Sequence, residues 1–177
     1  INLSHLSRCL KLEYLGIVGH TKNFEVLSSL PKLRELFLSS IGKKQNLNVL
    51  NEIKLLESLT LFLGGRESIK EVTNPSLAEL IIIRVRGLSD LGDLSRFPRL
   101  KCLQVEDQIQ IKKILFSKPQ EELVDMKLLN CKGLVSIAGL KLLSKLNHLR
   151  ISSTQVDIDN LIGLTLPQNL DIFAFYT

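Results

Sequence analysis

The chain has 177 residues, 45% of them hydrophobic and 23% charged, a balance that suits one globular domain or a short repeat array. It excludes the disordered class, which lacks the apolar surface needed to fold. The net charge of +5 is spread: residues 1–88 hold 12 Lys/Arg against 8 Asp/Glu, and residues 89–177 hold 11 against 10. The only basic doublets are Lys43-Lys44 and Lys112-Lys113, so no nucleic-acid footprint is expected. No run of 18 apolar residues exists, and no membrane-spanning helix is expected.

Leucine dominates, with 38 of the 177 positions, while Trp is absent. So uneven a core implies a slot that repeats. Residues 1–11 read as the return half of a repeat whose strand is missing, and the opening INLSHLSRCLKLEYL (1–15) lacks the basic-then-apolar layout of a secretory signal. The pattern LxxLxL then recurs: LEYLGI, LRELFL, LESLTL, LAELII, LKCLQV, LVDMKL, LNHLRI and LDIFAF. These segments begin at Leu12, Leu33, Leu56, Leu77, Leu100, Leu123, Leu146 and Leu170, with spacings of 21, 23, 21, 23, 23, 23 and 24 residues. In each, the last residues alternate inward and outward at the period of a strand.

Between the strands the apolar residues fall every third position, as in Leu47, Leu50, Ile53, Leu56 and in Leu88, Leu91, Leu94, Phe97, Leu100. A period of three predicts 3₁₀-type returns. About a dozen residues remain for each return, too few for a long helix.

The pattern resembles the leucine-rich repeat family, closest to the short repeats of bacterial internalins and of the phosphatase-regulator type. The stretches GLSDLGDLSRFPRLKCLQV (87–105) and GLVSIAGLKLLSKLNHLRI (133–151) carry the likeness most fully. The resemblance covers essentially all of residues 1–177 and implies one α/β repeat domain. That domain would be a solenoid with a parallel sheet on its concave face and 3₁₀, irregular or short helical segments on its convex face. Internalin-type repeats occur on bacterial surfaces and the phosphatase-regulator type is intracellular.

In one respect the sequence departs from the family. Asn, Cys or Thr usually stands three positions after the last leucine of LxxLxL, where it bonds neighbouring turns. Here that position holds His20, Ile41, Gly64, Val85, Gln108, Cys131 and Thr154. With the asparagine ladder missing, irregular turns are expected, most of all at SSIGKKQN (39–46) and FLGGRES (62–68), and Val85 is expected to point inward. The chain opens on Ile1 and stops at DIFAFYT with no polar cap. The expectation is a piece of a longer array or an array capped by association, with self-association through Phe173 and Phe175 as one route.

Counting from the first leucine, positions 3, 5 and 7 face the concave surface. An apolar cluster of Tyr14, Val18, Phe37, Phe62, Ile81 and Ile83 occupies the first four repeats, and Gln104, Glu106, Asp125, Lys127, His148 and Arg150 follow. A protein or peptide partner is expected on this face, held by the apolar cluster together with Glu106, Lys127, His148 and Arg150. The alternatives are a face that only supports the sheet, and an array serving as a spacer or as the recognition arm of a larger protein.

Enzyme chemistry, cofactors and metals are not expected. Cys102, Asp125 and His148 share position 3, but the acid lies between the thiol and the base, the wrong order for a nucleophile. The run Asp157-Ile158-Asp159-Asn160 lacks the glycine of a calcium loop, and its twelfth place is Gln168, so it reads as a turn leading into Leu161. His5 and His20 have no ligand partners at metal spacing, and Gly64-Gly65 reads as a turn. Cys9, Cys102 and Cys131 are odd in number and far apart, so neither a disulfide framework nor a CxxC site is expected. They read as reduced, mostly buried thiols, which favours an intracellular location.

Overall fold

The computed structural model describes residues 2–164, 166–167 and 169–176; Ile1, Thr165, Gln168 and Thr177 lie outside the described residues. Each LxxLxL segment forms a five-residue strand: β1 (Tyr14–Val18), β2 (Glu35–Ser39), β3 (Ser58–Phe62), β4 (Glu79–Ile83), β5 (Cys102–Glu106), β7 (Asp125–Leu129), β9 (His148–Ser152) and β10 (Ile172–Tyr176). Two three-residue strands on the return side, β6 (Lys113–Leu115) and β8 (Ser136–Ala138), pair with each other. The eight longer strands form one parallel sheet in the order β1-β2-β3-β4-β5-β7-β9-β10.

Register follows from the leucine spacing. Tyr14, Glu35, Ser58, Glu79, Cys102, Asp125, His148 and Ile172 are neighbours rung by rung, and every other strand position lines up with its counterpart likewise. Position 4 and position 6 of the pattern point into the core, because only that phase buries the apolar set. Leu36, Leu59, Leu80, Leu103, Met126 and Leu149 fill one buried row, and Leu38, Leu61, Ile82, Val105, Leu128 and Ile151 fill another. At the two edges of the sheet the same rows, at Leu15, Phe173 and Phe175, are only partly buried.

The returns are short. Among the described residues 3₁₀ segments span Leu3–Arg8, Phe24–Ser29, Asn48–Glu52, Leu94–Arg96 and Leu140–Leu142, and one helix, α1, spans Ile158–Leu164. The period of three appears as chained i to i−3 amide bonds, such as Leu50 to Leu47, Ile53 to Leu50 and Leu56 to Ile53. The Asp157 run is the start of α1 and not an isolated turn: Asp157 Oδ1 accepts from the Asn160 amide at 3.0 Å and caps the helix.

The expectation of irregular turns is overturned at the residue that follows each strand, while the loop 62–68 does deviate, with Gly64 left-handed as well as Leu63. Every strand from β1 to β9 in the large sheet is followed by a left-handed residue: Gly19, Ser40, Leu63, Arg84, Asp107, Asn130 and Ser153, with φ between 50° and 68°. Each donates its amide to the last carbonyl of the next strand at 2.8–3.0 Å, from Gly19 to Ser39 through Ser153 to Tyr176. This backbone link replaces the missing asparagine ladder and works with any side chain that tolerates the left-handed region, at a cost of about 1–2 kcal/mol for a non-glycine. The expected asparagine positions add their own bonds in three places, at Thr154, whose Oγ1 accepts from the Val156 amide at 3.3 Å, and at Gln108 and Cys131. Gln108 Nε2 donates to Glu106 O at 3.0 Å, and Cys131 Sγ lies 3.4 Å from Val105 O and 3.5 Å from Leu129 O. Val85 and Ile41 are buried there instead. Gly64 is the constrained member: with φ +76°, a Cβ would sit 2.5 Å from Ile41 O.

One return row carries two polar residues among Leu30, Ile53, Phe97 and Leu143. Asn74 and Gln120 occupy it and are 1% and 2% exposed. Asn74 Nδ2 donates to Leu50 O and Ile53 O at 2.7 and 2.8 Å, and its Oδ1 accepts from the Ser76 amide. Gln120 Oε1 has no hydrogen-bond partner.

Candidate functional site

Outward positions of the strands form three columns on the open face of the sheet. Strands about 4.8 Å apart shield one another's side chains, so Phe37, Phe62, Ile81, Ile83, Glu106, Lys127 and His148 are half-buried, while Arg150 is exposed. Tyr14 and Val18, on the edge strand, are each 58% exposed. Ser39 is the exception: between Val18 and Phe62 in its column, it is 5% exposed.

The apolar members are contiguous. The Phe37 and Phe62 ring centroids are 6.0 Å apart with the planes tilted by 31°, within the range of favourable aromatic pairs. A Cβ on Gly16 would lie 3.5 Å from Tyr14 Oη and 4.0 Å from Phe37 Cδ1, so the tyrosine leans across Gly16 toward Phe37. Phe62 pairs in register with Ile83, and Ile81 sits beside Thr60. Tyr14, Phe37, Phe62 and Ile83 therefore trace a path across β1–β4, with Ile81 alongside and Val18 at the edge.

Beyond β4 the face turns polar and its groups pair with each other. Gln104 Nε2 donates to Glu106 Oε2 at 2.8 Å and Lys127 Nζ lies 2.9 Å from Asp125 Oδ2, while a polar pair also sits on β3 and β4, where Ser58 Oγ donates to Glu79 Oε2 at 2.6 Å. The buried Asp125 Oδ1 has no hydrogen-bond partner. Glu106 and Lys127 are thus engaged with neighbours on the face; His148 and Arg150 sit together on β9.

Cys102, Asp125 and His148 are adjacent in register, with the acid in the middle. Burial pushes the Cys102 thiol up, and the nearby Asp125 and Glu79 charges push it further. A nucleophilic cysteine needs the opposite environment. The expectation of three mostly buried thiols also needs correction. Cys9 is exposed and Cys102 half-buried, leaving only Cys131 fully buried, its thiol raised to about 11 by desolvation.

Among the described residues no cluster of three or more His, Cys, Asp or Glu side chains is placed to hold a metal ion, and no helix is long and apolar enough to cross a membrane. Sequence reasoning missed a cationic groove at the carboxyl ends of β2–β5, lined by Lys43, Arg66, Arg84 and Arg86 among others. The signals were present in the two loops expected to deviate, 39–46 and 62–68, and in the Lys43-Lys44 doublet. No protein-family model and no curated protein matches the chain.

Proposed function

We propose that the chain is a leucine-rich-repeat solenoid that binds a protein or peptide on the open face of its sheet. The observation that carries this reading is the unbroken apolar path from Tyr14 through Phe37 and Phe62 to Ile83, bordered by a polar zone on β5–β9. Large contiguous apolar patches on a folded surface often mark interaction sites, and aromatic anchors ringed by polar groups are the usual build of a hot spot. The mechanism is rigid complementarity: a preorganised sheet presents the anchors, so little side-chain or backbone freedom is lost on binding. Recognition, not catalysis, is the proposed activity, and the repeating leucine spacing and the regular register of the sheet are what support the family assignment.

The test is affinity capture with the wild-type chain and with a Phe37→Ala/Phe62→Ala variant, followed by measured affinities for any captured partner. Each truncation is expected to weaken binding by about tenfold or more, with folding intact by circular dichroism. A partner held equally well by both chains would remove the patch from the reading.

A further inference from the structure

The loops after β2, β3, β4 and β5 enclose a half-open groove of about 890 Å³. It lies beyond the carboxyl ends of the strands and is separate from the open face. Its charge is unbalanced: Lys43, Arg66, Arg84 and Arg86 line it against Glu67 and Asp107. Asp107 is already committed. Arg84 Nε and Nη2 both donate to its Oδ2, at 3.0 and 2.7 Å, and Asn130 Nδ2 donates to its Oδ1 at 2.5 Å. Arg66 is 7% exposed; its Nη2 donates to Gln45 O at 2.8 Å, while its buried Nη1 makes no hydrogen bond and only faces Glu71 Oε1 at 3.4 Å. Burial lowers its pKa, as expected for a cation with incomplete compensation. Lys43 and Arg86 have no ion pair among the described residues. The remaining wall is aliphatic, with Leu63 half-buried and Ile109 71% exposed at the rim.

Its volume is within the range of small-molecule sites, and its composition is theirs as well: apolar walls with a few convergent charged groups. We propose that this groove binds an organic phosphate, with the phosphate between Lys43 and Arg86 and the apolar body against Leu63 and Ile109. The four cations and two carboxylates of the lining leave a formal net of two positive charges, which matches the nearly double charge of a phosphate monoester near neutral pH, and guanidinium is the side chain best shaped to bond it. A carboxylate brings half that charge. The inference does not depend on the open face.

Phenyl phosphate titrated into the full chain, followed by amide chemical shifts, tests it. Saturable shifts are expected at Gly64, Gly65 and Gly87, with benzoate at least threefold weaker and benzyl alcohol without effect. Lys43→Ala and Arg86→Ala change exposed side chains, so the fold should survive, and together they should weaken phenyl phosphate by about tenfold. Phe37→Ala/Phe62→Ala should leave it unchanged. Shifts outside the groove, equal binding of benzyl alcohol, or no loss in the Lys43→Ala/Arg86→Ala variant would overturn the site, and benzoate binding as tightly as phenyl phosphate would overturn its assignment to phosphate.

Discussion

The two halves of the open face share a backbone and little else. From β1 to β4 the outward columns carry Tyr14, Val18, Phe37, Phe62, Ile81 and Ile83 beside Glu35, Ser39, Ser58, Thr60 and Glu79; from β5 to β9 they carry Gln104, Glu106, Asp125, Lys127, His148 and Arg150 beside Cys102, Leu129 and Ser152. Rung spacing, strand length and the left-handed residue after each strand do not change between them. Nor does the core, where Leu80 and Leu128 are both fully buried. The scaffold constrains the inward positions and leaves the outward ones free to differ, and that difference is what the proposed binding face rests on.

That contrast can be broken most directly in the core. Leu80→Ala and Leu128→Ala should each cost about 2–5 kcal/mol, alike in both halves, while Ile81→Ala and Lys127→Ala next to them cost under about 1 kcal/mol by urea denaturation. An Ile81 change as costly as Leu80 would mean that the apolar half is structural. Next in size is the turn where the halves are least interchangeable. Gly64→Ala should lose about 1–3 kcal/mol from strain and contact with the Ile41 carbonyl, whereas the corresponding turns after β5 and β7 already hold Gln108 and Cys131. Thermal unfolding of the variant measures it.

The return row gives a smaller test, in which its two polar residues differ. Asn74→Leu should destabilise by about 1–3 kcal/mol, because the Leu50 and Ile53 carbonyls lose their donor. Gln120→Leu removes a buried acceptor with no partner but also the Nε2 donor to Pro119 O at 3.2 Å and Ser95 O at 3.5 Å, so its net change should stay within about 1 kcal/mol. The least effect is expected from acid. The Asp107 carboxyl is held below the usual carboxylate range by the Asn130 hydrogen bond and then by Arg84. A depressed folded pKa stabilises above the unfolded value of about 3.9 and is lost as pH falls through the folded one. Asp107→Asn should therefore flatten the acid limb of the stability curve below about pH 4, and an unchanged limb would assign that slope to other carboxyls.

Much of the fold was legible because one number, the leucine spacing, sets strand position and register together. The three outward columns could be written down by counting, which is why Ile81 and Ile83 separate from Ile82 without coordinates. The turns were not legible for an equally physical reason. A motif of backbone amide, carbonyl and φ leaves no consensus side chain, and Ser40, Leu63, Arg84 and Asp107 look unrelated in sequence. Asn74 and Gln120 stand where the period of three places Ile53 and Phe97 in other repeats, and the exposure of Cys9 depends on a segment with no strand to set its phase. The groove was legible only as two anomalous loops, because its cations come from three loops of the chain and converge only when the sheet forms.

The even rungs also bear on how the chain reaches this state. Each strand-to-strand pairing closes a loop of 21–24 residues, and the entropy lost on closure varies only with the logarithm of that length. No pairing has to wait for a distant segment, and none is much slower to nucleate than another. Folding can therefore start at any adjacent pair of strands and zip along the sheet, and β1 and β10, each paired on one side only, leave first.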